Sequence, residues 1–514
     1  MNLFAVLIAA LALVPQPRKV VELGGFTSST AKTFRVDTTL PKEGYRLKVT
    51  DSGAEIAYAD GAGRLYAQVT LDQMKRSDGK YAKAEIEDWP LYPWRAWLVD
   101  VGRHWLPKEH MFDVIDVMVL HKMNVLHWHI TEDQSWYLPI EGRPELVAYG
   151  STRDYSKYEL GCRWKKVGKW LEEPQTQKYG PYAYTEQDVA EVLAYAKARY
   201  VQVVPEIDIP AHSRALLCAY PELGCRPDLL EKDRSPDPAG HPDDVLCIGN
   251  EKTLEVVYDI LDKVCKMFPD AEYIHIGGDE CSTKRWEKCP KCQAKMKAEG
   301  LKTERELLTW FAKKASEFLA SRGKKTMGWA EIVEDGTLDR KTTVPMAWLY
   351  PDPGLKGRNM FCPTFEELAD MGYDLVAGSH KHEYWGPRHS RDDEYDPLPP
   401  NNGYCFFISL EDTYDLDLSC GPAKPGKGRV IGTEGYAWGN SFWNFFDYIY
   451  HSLPRTCAVA ELAWGAPEPK RYTDFYGRMV VHAKRLRAMR LPCASVDPPG
   501  SMRLVPANCR QDGK

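Results

Sequence analysis

Asp279 and Glu280 stand side by side behind Ile274-His275-Ile276-Gly277-Gly278. An apolar strand that runs into two glycines and ends on adjacent carboxylates suits acid/base chemistry. Acids held together repel, and burial raises the pKa of at least one of them. A solvated Asp-Glu pair in a loop would do nothing of the kind; the glycines and the apolar strand before the pair favour catalysis. Other polar residues recur in the same phase. Glu132 and Asp133 follow His127-Trp128-His129, Asp208 and His212 follow Val203-Val204-Pro205-Glu206, and Trp329 and Glu331 end a further apolar run. Arg95 lies at a strand entry, with Asp100 further along.

The elements that must position these groups alternate. Residues 18–88 read as short strands with one helix-like stretch from Gly63 to Met74, a small α+β domain. Asp88-Trp89-Pro90-Leu91-Tyr92-Pro93 is a proline-punctuated junction. Beyond it come strand Ala96–Val101, helix Glu109–His121, strand Asn124–Ile130, helix Thr185–Tyr200 and strand Val201–Ile207. A helix through Leu254, Val257, Leu261 and Val264 precedes strand Tyr273–Ile276, and one through Leu308, Phe311, Ala315 and Phe318 precedes strand Lys325–Trp329. This alternation predicts an α/β fold, a (β/α)8 barrel, in which the C-terminal ends of the strands form the catalytic face. A doubly wound sheet is the alternative, but no Gly-x-Gly-x-x-Gly opens a helix. The expected divisions are 1–14, 15–88, 89–495 for the barrel and a polar tail at 496–514.

The chain has 514 residues, 44% hydrophobic and 27% charged, with a net charge of −6. That is an ordinary globular composition, and the negative balance argues against nucleic acid as a partner. The 16 Trp and 28 Tyr supply flat faces of the kind that pack on sugar C–H groups, although most will be core. Leu3 to Val14 is an apolar run too short to span a bilayer. It predicts a secretory leader cut near Ala10 or Ala12, hence an exported protein without a membrane span, although no Lys or Arg precedes the run.

Among the 14 cysteines, Cys281, Cys289 and Cys292 follow the carboxylate pair and Cys247 precedes a neighbouring helix. Two disulfides or one zinc site would fit them; the second Cys-x-x-Cys of a zinc ribbon is absent, which favours disulfides or free thiols. His127, His129 and His212 would suit a three-histidine metal site. Histidines between apolar strand residues are more often hydrogen-bonded core groups, and neither metal nor cofactor is expected.

Taken together, Trp94-Arg95-Ala96-Trp97-Leu98-Val99-Asp100-Val101-Gly102-Arg103-His104, His121-Lys122-Met123-Asn124-Val125-Leu126-His127-Trp128-His129, Pro205-Glu206-Ile207-Asp208-Ile209-Pro210-Ala211-His212, His275-Ile276-Gly277-Gly278-Asp279-Glu280 and Pro454 to Trp464 resemble family-20 glycoside hydrolases, the β-N-acetylhexosaminidases. The resemblance runs in order from about residue 90 to 480, and the short first domain is similar to the α/β domain that precedes the barrel in that family. It implies a retaining mechanism in which the substrate's own acetamido oxygen attacks the anomeric carbon, an exception to the two-carboxylate scheme. Glu280 would then be the general acid and base, and Asp279 would orient the acetamido N–H. Tyr384 would donate to the acetamido oxygen, and Trp329, Trp348 and Trp438 would wall the sugar. Arg95 would bind ring hydroxyls, Glu331 and Asn440 would also touch the substrate, and His212 and Asp208, with Glu132 where the family often has Asp, would support the acid. The partner implied is a glycan or glycoconjugate.

Two departures concern the distal hydroxyls. The family's tyrosine is commonly followed two residues on by Asp, where this chain has Gly386, and its last tryptophan by Glu, where this chain has Asn440. His382, Glu383 or Asp392 are candidates to substitute, and Lys381 and Arg388 lie in the same loop. The competing readings are a sugar-binding protein of weak activity on the same barrel and an enzyme of the same chemistry that releases a disaccharide or a modified sugar. The oligomeric state stays open.

Overall fold

The structure is a computed structural model. It describes residues 11–154, 178–232, 234, 236, 243–349, 361–387, 389, 407–439, 442, 444–465, 469–496 and 498.

Eight parallel strands close into a barrel in sequence order: Trp94–Asp100, Val125–His129, Gln202–Glu206, Tyr273–His275, Lys325–Trp329, Thr343–Ala347, Leu375–Ala377 and Val430–Ala437. The eighth pairs with the first, Glu434 opposite Ala96, and seals the ring. The helices between strands bury one apolar stripe each. Glu251–Met267 turns Val256, Val257, Ile260, Leu261 and Val264 inward, and Asn250 caps it by accepting from the Lys252 amide. Helix Glu186–Lys197 starts with a reciprocal Thr185–Asp188 capping box.

Ahead of the barrel, a five-stranded sheet is ordered Lys19–Thr27, Tyr81–Asp88, Tyr45–Thr50, Gly53–Tyr58, Lys32–Val36. Helix Gly61–Gln73 covers one face, burying Tyr66, Ala67 and Leu71 against Tyr45, Leu47 and Ile56. This domain sits at the strand-start end of the barrel. Asp88 accepts from Tyr45 Oη (2.6 Å) within this sheet and from Lys122 Nζ (2.8 Å) and Trp464 Nε1 (2.9 Å) across the junction. All are buried, so the charge on Lys122 is offset by a carboxylate that is itself fully hydrogen-bonded.

The expected boundary at residue 14 is corrected here. Ala12, Leu13 and Val14 are buried, Val14 N donates to Gln73 Oε1 (3.0 Å), and Arg478 and Arg485 donate to the carbonyls of Leu13 and Ala12. These residues belong to the folded unit. Most of the 496–514 tail lies outside the described residues.

Candidate active site

Asp279 and Glu280 leave the end of the fourth strand through Gly277 and Gly278. Both glycines have positive φ (+65° and +96°), and a Cβ at Gly277 would overlap Asp208 Oδ1 while one at Gly278 would overlap Ile332. The tight turn places the two acids differently. Asp279 is buried, with a side chain 12% exposed, whereas the Glu280 side chain is 53% exposed at the barrel mouth.

His212 stands between them. Its Nε2 is 3.5 Å from Asp279 Oδ2 and 3.6 Å from Glu280 Oε2, and its Nδ1 is 2.6 Å from Glu132 Oε1. Glu132 in turn meets Arg103 (2.9 Å) and His129 (3.1 Å) through Oε2, and Arg103 meets Asp100 at 2.9 Å. Beneath lies Glu206, whose oxygens face His129 Nδ1 (2.5 Å), His127 Nε2 (3.0 Å), His275 Nδ1 (2.8 Å) and Trp329 Nε1 (3.1 Å). The expected supporting residues Glu132, Asp208 and His212 are therefore brought together with the acids. Asp208 accepts from the Gly278 amide (3.3 Å) and so holds the glycine turn. His127, His129 and His212 do not converge on one point; each is taken by carboxylates.

The charges follow. Burial disfavours an imidazolium at His212, but Glu132 and Asp279 outweigh it and hold its pKa well above the ordinary value. Glu280 is held below the usual range, chiefly by the His212 ring that faces it at 3.6 Å. Burial pushes Asp279 up to about 6, and burial followed by the nearby Asp279 charge raises Asp208 well above its ordinary value. Glu331, fully enclosed, is pushed up to about 8. Asp279 Oδ1 is buried without a hydrogen-bond partner, and so is His212 Nε2.

An aromatic floor and wall complete the cavity. Trp329, Trp348, Tyr384 and Trp438 belong to one apolar cluster with Tyr436. Trp329 is 5.8 Å from Trp438 and 6.4 Å from Trp348, centroid to centroid. Tyr384 bridges to Tyr436 beyond the seventh strand, their rings 5.5 Å apart. Both Glu331 oxygens accept from Trp348 Nε1 at 3.1 Å, so Glu331, expected to touch substrate, instead positions the Trp348 indole.

Arg95 is a correction. It lies at the start of the first strand, as the sequence suggested, but it is fully buried there and far from the strand ends that carry the acids, so it does not bind ring hydroxyls. Its guanidinium donates to Glu43 of the first domain and to the carbonyls of Lys122 (2.7 Å) and Tyr92 (2.9 Å). The arginine at the mouth is Arg103, stacked 4.6 Å over Trp438. Its place three residues past Asp100, beyond the strand end, was the sequence signal for it. Asn440, Arg388 and Asp392 lie outside the described residues. Gly386 is buried, and Glu383 cannot take the place of the missing acid, because its oxygens accept from the Ser379 amide (2.9 Å) and Thr433 Oγ1. His382 is half-buried, its Nδ1 at 2.7 Å from Ser379 Oγ.

A closed barrel with an acid pair, a charged histidine and a ring of tryptophans at its mouth defines a sugar-processing site. The family model described as glycosyl hydrolase family 20, catalytic domain, matches residues 92–467, and that for domain 2 of the same family matches residues 26–89. The chain belongs to glycosyl hydrolase family 20 and is a glycoside hydrolase. It is 32% identical to a β-hexosaminidase of Porphyromonas gingivalis over 473 residues, covering 89% of this chain but only 56% of that protein. It is 29% identical to a β-hexosaminidase of Akkermansia muciniphila, covering 92% and 90% of the two chains. A crystal structure of a β-N-acetylhexosaminidase superposes with a TM-score of 0.80 at 26% identity, covering 95% and 98% of the two chains. That from Bacteroides fragilis gives 0.74 at 25%, covering 95% and 97%.

Proposed function

We propose that this chain is a retaining β-N-acetylhexosaminidase that removes terminal β-linked N-acetylhexosamine by substrate-assisted catalysis. The observation that carries this is Asp279 Oδ1, a buried acceptor without a donor, set on an aromatic floor beside a half-exposed Glu280. An acetamido N–H supplies the missing donor, and Asp279 then steadies the positive charge that grows on that group as its carbonyl oxygen attacks the anomeric carbon. Tyr384 donates to the acetamido oxygen. Trp348, held by Glu331, and Trp438 flank the sugar, and Arg103 reaches its hydroxyls. Glu280 protonates the leaving oxygen and later takes a proton from water. In the free protein His212 keeps Glu280 anionic; a sugar covering its exposed face removes water and raises its pKa toward that of an acid. The test compares aryl β-N-acetylglucosaminide and galactosaminide with the aryl glucoside. Turnover of the glucoside at a similar rate, or a covalent sugar trapped on a protein carboxylate, would refute the reading.

Around O4 and O6 the pocket differs from the family pattern. Gly386 offers no carboxylate and Asn440 no charge, so an unmodified terminal sugar loses two charge-assisted hydrogen bonds, each worth ~1.5–3 kcal/mol. The proposed preference is for a sulfated or extended sugar at that end. Comparing kcat/KM for plain and 6-O-sulfated substrates tests it; rejection of the sulfated one with ordinary turnover of the plain one removes the idea.

Export is likewise proposed, on the apolar run from Leu3. A cut near Ala10 retains every buried contact of Ala12–Val14, and N-terminal sequencing of the mature protein checks it. Among the described residues no helix is long and apolar enough to cross a membrane.

A further inference from the structure

The cysteines are arranged differently from the sequence expectation. Cys225, Cys247, Cys289 and Cys292 gather in one cluster, with every sulfur within 4.8 Å of the others, while Cys281 stays outside it. The Sγ–Sγ distances are 3.7 Å for Cys247–Cys289, 3.7 Å for Cys247–Cys292 and 3.8 Å for Cys225–Cys292. A disulfide would bring two sulfurs to about 2.05 Å and leave the other two apart. Here Cys247 is equally close to two partners, and Cys292 also has two, which is not a pairing pattern. A tetrahedron with zinc–sulfur arms of about 2.3 Å has edges of about 3.8 Å. The observed spacing is that of four thiolates around one ion.

The backbone is built for the cluster. Gly224 and Leu246 form an antiparallel bridge, and Cys247 N donates to Leu223 O at 2.7 Å, so two distant segments deliver Cys225 and Cys247 side by side. They replace the Cys-x-x-Cys step that the sequence lacks. The other pair comes from the start of helix Pro290–Glu299, with Cys289 at its cap and Cys292 in its first turn, where the helix amides favour a thiolate. Gly249 lies against the backbone of Lys291 and Cys292 so closely that any side chain there would overlap it. Cys247, Cys289 and Cys292 are buried and Cys225 is half-buried.

We infer that Cys225, Cys247, Cys289 and Cys292 bind one structural zinc ion, which staples the loop after the third barrel strand to the loop after the fourth. The first loop carries Asp208 and His212, and the second carries Asp279 and Glu280. The site holds the two sides of the catalytic centre in place without touching substrate. Four thiols release their protons as the ion binds, so affinity rises with pH.

The test uses the full chain, purified without chelator and dialysed against zinc-free buffer. Elemental analysis should find about one zinc per chain, and a mercurial reagent should release it as the cluster thiols react. Cobalt exchanged for zinc should show the intense absorption of a tetrahedral thiolate site. Cys289→Ser combined with Cys292→Ser should lose the metal, while Cys265→Ser, on a neighbouring helix, should keep it. If the double variant fails to fold, the metal count, mercurial release and cobalt spectrum of the unmodified chain decide the matter alone. Unmodified protein that takes up no zinc from a supplemented buffer overturns the inference. So do peptide maps showing two disulfides among these four residues, or zinc retained by the folded double variant.

Discussion

His212 and Glu280 face each other at 3.6 Å from backbones that are both left-handed, φ +46° and +48°. For non-glycine residues that conformation costs about 1–2 kcal/mol each. Neither lies in a helix or strand, and both sit where the loop must turn sharply to aim a side chain at the same spot. The surrounding barrel holds this strain at the acid and its charged partner.

Glu280→Gln keeps the shape and removes the proton. We expect kcat on a substrate with a poor leaving group to fall ~10²–10⁴-fold with KM little changed. A fall of less than tenfold would assign the acid elsewhere.

Asp279 must be anionic to meet the acetamido N–H, and burial raises it to about 6. It therefore takes up a proton as pH falls through about 6, and kcat/KM should decline on that acidic side. Asp279→Asn should lower kcat strongly and flatten that limb. An unchanged acidic limb in the variant would place the titrating group elsewhere.

Glu331 gives a stability signature. Burial raises its folded pKa to about 8 from the 4.5 of an ordinary glutamate. Between those values the unfolded chain has lost the proton while the folded chain keeps it. The stabilisation is thus full below 4.5 and is lost as pH rises through about 8, by linkage on the order of 5 kcal/mol. Thermal melts of Glu331→Gln should lose much of the wild-type decline in Tm between pH 5 and pH 9 (roughly the window set by those values). Parallel profiles would show that Glu331 is not the titrating group.

Arg103 and Arg95 separate site from scaffold. Arg103→Ala should raise KM and lower kcat/KM. Arg95→Met leaves Glu43 buried without its partner and should cost ~3–5 kcal/mol of stability, with KM of the surviving folded enzyme unchanged. If Arg95 variants changed KM and Arg103 variants did not, the assignments would reverse.

Gly277→Ala adds a methyl group where Asp208 Oδ1 stands, on a backbone that disfavours it. Activity should fall at least tenfold while the far-UV spectrum is kept, since the turn serves the acid pair rather than the barrel. Normal activity would show that the turn relaxes freely.

Much of the scaffold was legible because the first five barrel strands are flanked by periodic helices. Strand Lys325–Trp329 agrees to the residue, and strand Val201–Ile207 narrows to Gln202–Glu206. Strands Thr343–Ala347, Leu375–Ala377 and Val430–Ala437 left no such trace, because long segments separate them and the seventh is only three residues. Asp279, Glu280 and His212 were legible from strand-end position. Arg95 misled although its strand-entry position was legible, because the resemblance was carried onto it rather than onto Arg103; its true partner, Glu43, comes from the first domain. Cys225 was missed because its nearness to Cys247 depends on a bridge between segments far apart in the chain.

Glu206 also acts as a register key. Its two oxygens join the third strand to His127 and His129 of the second, His275 of the fourth and Trp329 of the fifth. Side chains on a strand alternate faces, so a one-residue slip of the second strand would turn His127 and His129 outward. Glu206 would then keep only His275 and Trp329, both on one oxygen, and its other oxygen would be buried without a partner, a penalty of several kcal/mol. The network beneath the catalytic centre therefore also selects, during folding, the one strand alignment in which that centre exists.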